Sequence, residues 1–124
     1  MLTTGIKGTQ KLKVTHENTA TAWKSGNLDV FATPAMIALM EQTCANSVEC
    51  ELENGQSTVG TLVNVKHLKA TPIGQTVTAE STLTEIDRKR LVFTVSAFDE
   101  NGLIGEGTHE RFIIDIERFM GKLK

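Results

Sequence analysis

Two polar side chains sit where pattern alone would put apolar ones, a third opens a helix, and their types suit acid–base or nucleophilic chemistry. The first is Glu41. Winding the segment from Thr33 at about 100° per residue gathers Met36, Ile37, Ala38, Met40, Cys44, Ala45 and Val48 on one broad apolar side. Glu41 falls inside that stripe, between Ile37 and Ala45, whereas Gln42, Asn46 and Glu49 lie opposite. A buried carboxylate costs several kcal/mol unless it is paired, hydrogen-bonded or neutralised. Glu41 therefore either reaches solvent or a lysine from the stripe's edge, or is kept there to act as a base or nucleophile. The second is His67. Alternation from Val59 puts Val59, Thr61, Val63, Val65 and His67 on one strand face, with the imidazole at the strand's end. Such a histidine is either a hydrogen-bonded core residue or an acid–base group. The third is Thr33, before Pro34, at a helix start where free amides and the helix dipole favour an anion.

Two further residues belong to this set. Gly60, inside a strand, marks a bulge, a bend or the close approach of a ligand or backbone. Arg111 alternates with His109 and Ile113 and reads as an interstrand ion pair or as support for a site. His16 lies in a polar stretch and reads as surface. The basic turn Arg88-Lys89-Arg90, with Lys66 and Lys69, is either a solvated charged turn or a receiver of phosphates.

The elements that must position these groups follow from local signals. Residues Gln10 to His16 read as a first strand, followed by a polar connection anchored by Trp23. Thr33 serves as N-cap and Pro34 as first helical residue of one long helix, which runs to about Leu52 and stops before Asn54-Gly55. The rest is strand-like: Thr58 to Val65, Thr76 to Ile86, Leu91 to Phe98 and Leu103 to Ile116. Turn residues separate these runs, among them Pro72-Ile73-Gly74, Asp87 to Arg90, and Asn101-Gly102. Loops this short cannot carry helical crossovers, so the fold class is α+β with a five-stranded, mainly antiparallel sheet against one long helix. Thr33 and Glu41 stand about two turns apart, roughly 12 Å along the helix axis, too far for their side chains to touch.

Composition narrows what the fold can do. The 124 residues suit a single domain spanning 1–124, and with five Phe, one Trp and no Tyr its core must be aliphatic. A deep pocket walled by one chain would leave little core, so a ligand site should be shallow or shared between subunits. A net charge of −2 gives no footprint for nucleic acid. The uncharged stretch Val30 to Met40 is too short to span a membrane, and the first residues hold no apolar run of signal-peptide length, so a cytoplasmic location is expected. Cys44 and Cys50, on one helix and separated by roughly 9 Å along its axis, read as reduced thiols. Three dispersed histidines without an HExxH spacing offer no metal-ligand set, and no cofactor is expected.

The run Phe31-Ala32-Thr33-Pro34-Ala35-Met36-Ile37-Ala38-Leu39-Met40-Glu41, then Gly60-Thr61 and His67, then Gly102-Leu103-Ile104-Gly105-Glu106-Gly107-Thr108-His109-Glu110-Arg111, resembles the fluoroacetyl-CoA thioesterase-like family of hotdog-fold proteins. The resemblance covers nearly the whole chain. It implies a hotdog fold, a long central helix wrapped by the sheet, in a homodimer whose sheets pair edge to edge, with higher assembly left open. It further implies hydrolysis of a short-chain acyl-CoA to free acid and CoA at the dimer interface, without a cofactor. Thr33, Glu41 and His67 match the family's catalytic positions, and Gly60 and Arg111 its substrate-binding ones. Fluoroacetyl-specialised members carry an aromatic lid, whereas Glu17 to Asn27 here supplies only Trp23, so selectivity for fluoroacetyl-CoA is not expected. The same fold could instead serve an acyl-CoA-binding module without catalysis, or a hydratase or dehydratase. The thiol carrier, CoA or an acyl carrier protein, stays open.

Overall fold

The structure, a computed structural model, describes residues 1–124. Strand β1 (Lys7–Lys13) leads through a 3-10 turn at His16–Asn18 to helix α1 (Thr33–Glu49), followed by β2 (Gln56–His67), β3 (Thr76–Asp87), β4 (Arg90–Asp99), β5 (Gly102–Asp115) and a short α2 (Ile116–Gly121). The five strands form one sheet in the order β1-β3-β4-β5-β2, and every pairing is antiparallel. Helix α1 contacts β1, β2, β3 and β4, so the sheet curls around it. Alternation does the work in the central strands: Val77, Ala79 and Leu83 of β3 and Leu91, Phe93, Val95 and Ala97 of β4 all face α1. They meet Met36, Leu39, Met40, Cys44 and Val48 of the helix in an aliphatic core with two buried phenylalanines, Phe31 and Phe93. No helix is long and apolar enough to cross a membrane.

Tight turns join β3 to β4 and β4 to β5. Asp87 pairs with Arg90 across a two-residue turn in which Arg88 takes a φ of +58°, and Asp99 pairs with Gly102 across Glu100-Asn101. Strand β5 passes so close to β2 that a Cβ on Gly107 would lie 2.1 Å from the Asn64 carbonyl oxygen, which explains a glycine in mid-strand. The segment after β2 is anchored by Asp99. Its carboxylate accepts from the Thr71 hydroxyl at 2.9 Å, while the Thr71 carbonyl accepts from the Phe31 amide at 2.9 Å and so fixes the chain entering α1. Burial alone would raise the Asp99 pKa, but the Asn101 and Gly102 amides, the Thr71 hydroxyl and the Lys69 charge together hold it below the usual carboxylate range.

Several boundaries differ from the sequence expectation for definite reasons. Strand β1 begins at Lys7 and ends at Lys13, because pairing with β3 sets its limits rather than local alternation. Helix α1 begins one residue early: Ala32 is the N-cap, its carbonyl accepts the first helical bond from the Met36 amide at 3.0 Å, and Thr33 is already helical. The hydroxyl of Thr33 is thereby released from capping. The helix stops at Glu49, with Cys50 to Leu52 in a turn. Its buried face is Ala35, Met36, Leu39, Met40, Thr43, Cys44 and Val48, so Ile37 and Ala45 are only half-buried, Ala38 is exposed, and Glu41 lies on the flank. In β2 a bulge between Gly60 and Leu62 breaks the alternation. Thr58 and Gly60 face α1 before it and Val65 and His67 after it, so Val59 and Thr61 do not share the His67 face. Strand β5 stops at Asp115, whose carboxylate caps α2, a helix without a sequence signal strong enough to announce it. Cys44 and Cys50 are both free, and burial pushes the Cys44 thiol pKa up to about 12.

Candidate active site

Two groups of polar side chains lie along α1, and β2 contributes to each. At the helix start the Thr33 Oγ1 stands 2.8 Å from His67 Nδ1, a hydrogen bond within one chain. The pair opens into a cleft of about 280 Å³ lined also by Val30, Phe31 and Leu68. His67 Nε2 is buried and has no hydrogen-bond partner in the protein. Burial lowers the His67 pKa, with the Lys69 backbone opposing it only in part, so the ring is neutral at pH 7.

The second group surrounds Glu41. Arg111, reaching from β5, donates from Nε to the Thr58 hydroxyl at 2.8 Å and from Nη2 to the Thr58 carbonyl at 2.9 Å. Its Nη1 lies 3.2 Å from His109 Nε2 and 3.6 Å from the Glu41 Oε2. The partner of Glu41 is thus an arginine rather than a lysine, and Arg111 ties α1 to both β2 and β5 rather than simply bridging strands. Gly60 completes the arrangement, since a Cβ there would meet Glu41 Oε2 at 2.6 Å and Arg111 Nη1 and His109 Cε1 at 3.3 Å each. Glu41 and Arg111 open into a cleft of about 470 Å³ with Leu12, Ala38 and Ala45.

The Gly60 contact makes a prediction. The severe contact is with the flexible end of Glu41, while Arg111 Nη1 and His109 Cε1 need give by only a few tenths of an ångström, so Gly60→Ala should fold with a stability loss of about 1 kcal/mol. It should nevertheless push the Glu41 carboxylate off Arg111 and reduce kcat about a hundredfold, as misplacements near 1 Å do. Denaturation midpoints and turnover, measured on the same preparation, check both halves.

Of the residues singled out in the sequence, Thr33 and His67 meet, and Glu41, Gly60 and Arg111 meet. The two groups remain about two helical turns apart, roughly 12 Å along the axis. Two members were missed. His109 is almost fully buried, and Thr58, buried on β2, takes two hydrogen bonds from Arg111. The period-two spacing of His109 and Arg111 was visible, but Thr58 becomes a partner only through the β2–β5 register, which pairs Gly60 with Arg111. The basic turn lies outside both groups: Arg88 pairs with Asp87, and Arg90 with Glu85 and Glu110. No three His, Cys, Asp or Glu side chains converge as a metal site would require.

A helix held inside a curled, antiparallel five-stranded sheet, with polar residues breaking its apolar flank, is the architecture of hotdog-fold thioesterases. The sequence model of the fluoroacetyl-CoA-specific thioesterases matches residues 14–117. The chain is 43% identical over 96 residues to the fluoroacetyl-CoA thioesterase of Streptantibioticus cattleyicolor, spanning 77% of this chain and 69% of that protein. A solved fluoroacetyl-CoA thioesterase structure superposes with a TM-score of 0.94 at 35% identity, covering 99% of this chain and 96% of that one. A variant of such an enzyme, in complex with fluoroacetate and CoA, gives 0.89 at 35% identity, covering 95% and 99%. The chain belongs to the fluoroacetyl-CoA-specific thioesterase family.

Proposed function

We propose that this thioester hydrolase cleaves short-chain acyl-CoA thioesters at a site assembled between two copies of the chain. The observation that carries the reading is the Thr33–His67 hydrogen bond, set at a helix start in an open cleft, in a chain so similar to fluoroacetyl-CoA thioesterases. Hydrolysis needs a base for water, donors for the developing oxyanion and a proton for the departing sulfur. Glu41 takes the proton of an attacking water. The new C–O bond forms at the thioester carbonyl, and the C–S bond breaks as the tetrahedral intermediate collapses. His67 Nδ1 accepts the Thr33 hydroxyl and so orients that oxygen toward the substrate, the free amides at the start of α1 face the developing oxyanion, and the proton that Glu41 took from water passes to the departing sulfur. Gly60 leaves room for the Glu41 carboxylate, which Arg111 holds at that end of the site.

Strand β2 is the edge that joins the copies. Gly60 to Asn64 are exposed along it, with Leu62 at 43% and Val63 at 42%, and an open strand of this length is an invitation to pair. Pairing two β2 edges brings the partner beside Gly60, hence beside Glu41. This is how groups roughly 12 Å apart on one helix come to flank one substrate.

Thiol release from acetyl-, propionyl-, butyryl- and fluoroacetyl-CoA tests the function. Release from a short acyl-CoA is expected, without preference for the fluorinated one, since Trp23 is tied to the Glu17 carbonyl and does not line the Thr33 cleft. Binding without release overturns the hydrolytic reading in favour of an acyl-CoA-binding module, and hydration of an enoyl-CoA without thiol release overturns it in favour of a hydratase. Mixing Glu41→Gln subunits with His67→Ala subunits tests assembly: recovered activity supports a shared site, and none places each site within one chain.

A further inference from the structure

His109 is a buried histidine that the chemistry above leaves unused. Its Nδ1 lies 2.7 Å from the Leu62 carbonyl oxygen, just past the β2 bulge, and its ring stacks on Phe93 with centroids 6.3 Å apart. A carbonyl can only accept, so Nδ1 carries the proton. In the neutral ring Nε2 is then an acceptor, and it faces the Nη1 donor of Arg111 at 3.2 Å. We propose that His109 is the positioning residue for the Glu41 carboxylate, acting through Arg111 and only as the neutral Nδ1–H tautomer. The proposal rests on the reading of Glu41 as the catalytic base, but the His109–Arg111 coupling stands apart from it.

The path is continuous. The β2 backbone at Leu62 orients His109, Nε2 of His109 orients Arg111 Nη1, and that nitrogen faces Glu41 Oε2. Arg111's other bonds go to Thr58, at the far side of the same bulge. The charged groups around His109 are Arg111 and Glu110 on β5 and Glu41 on α1, while β2 presents the Leu62 carbonyl and β4 the Phe93 ring. Protonation at Nε2 would set N–H against N–H and cation against cation, freeing the guanidinium to swing away from Glu41. Burial first, and Arg111 in addition, lowers the His109 pKa, with the Leu62 carbonyl and both glutamates opposing.

Nitrogen-15 NMR of the imidazoles in the intact protein tests the coupling without any substrate. The expected spectrum shows His109 protonated at Nδ1 and bare at Nε2, and Arg111→Met moves its titration to higher pH. An Nε2–H tautomer, or a titration unmoved by Arg111→Met, overturns the proposal. Kinetics test its consequence: His109→Phe, which keeps the stack on Phe93, should lower kcat about tenfold or more with KM changed less than about threefold. His109→Gln should recover part of that loss. In the Arg111→Met background the effect of His109→Phe should vanish, since it acts through Arg111. Independent, multiplicative losses instead mark a residue that merely packs. If no acyl-CoA is turned over at all, the NMR result still decides the coupling, and only the reading of Glu41 falls.

Discussion

Replacing Glu41 by Gln should lower kcat for acyl-CoA hydrolysis about a thousandfold and leave the protein folded. Glutamine keeps the volume and an oxygen toward Arg111 but removes the proton acceptor, and general-base steps are worth roughly 10² to 10⁴ in rate. The structure separates this loss from a folding defect. The Glu41 side chain is 41% exposed, and Arg111 keeps its two bonds to Thr58 and its contact with His109 when the carboxylate is neutralised. A partly exposed ion pair of this kind contributes about 1 kcal/mol or less. Thiol release under saturating substrate, alongside a denaturation curve, gives the answer. Turnover within a few-fold of wild type would remove Glu41 from the reaction.

The fold was legible because its signals are local and repeated. The Thr33-Pro34 start, the Asn54-Gly55 stop and the turns at Asp87 to Arg90 and Asn101-Gly102 mark out one helix and three hairpin-joined strands. Boundaries slipped where partners decide them, as when β3 sets the limits of β1. The Glu41 anomaly was legible too, though its cause was not. Pattern placed it within a stripe that included Ile37, Ala38 and Ala45, whereas the core takes the face through Leu39 and Thr43 instead. Thr43 can be buried because its hydroxyl bonds the Leu39 carbonyl at 2.7 Å, a compensation that hydropathy does not see.

The β2 bulge marks the deeper limit. A glycine inside a strand signals a bulge, a bend or a close approach, and Gly60 is both the first and the last: the register shifts beside it, and the Glu41 carboxylate occupies the space its missing side chain leaves. Two-residue periodicity cannot register an inserted residue, so it assigned Val59 and Thr61 to the wrong face while still putting His67 on the right one. His109 shows locally only that it shares a face with Arg111, and Thr58 carries no local mark, since their partners depend on the long-range pairing of β2 with β5.

Replacing His67 by Ala should cost about 10² to 10³ in kcat/KM, and the pH profile should show why. Protonation would occupy the Nδ1 that faces Thr33, so the working form is the neutral ring. Burial holds the His67 pKa below its ordinary value of 6.5, so neutral imidazole dominates above that point and is lost as pH falls through the lowered value. Wild-type kcat/KM should therefore stay level from pH 7 upward as far as His67 is concerned and decline on an acid limb lying below pH 6.5. In His67→Ala the residual rate should lose the His67 share of that limb and keep the share of His109, whose working form is also the neutral ring. A limb unchanged in the variant would assign it to another group and leave His67 a structural residue. Thr33 supplies the companion measurement. Because Ala32 rather than Thr33 is the N-cap, Thr33→Val removes the hydroxyl without removing a side-chain cap, so its stability should hold within about 1 kcal/mol. A rate loss in Thr33→Val, with recovery in Thr33→Ser, then reports on the hydroxyl that meets His67 Nδ1 and on nothing else in the helix start.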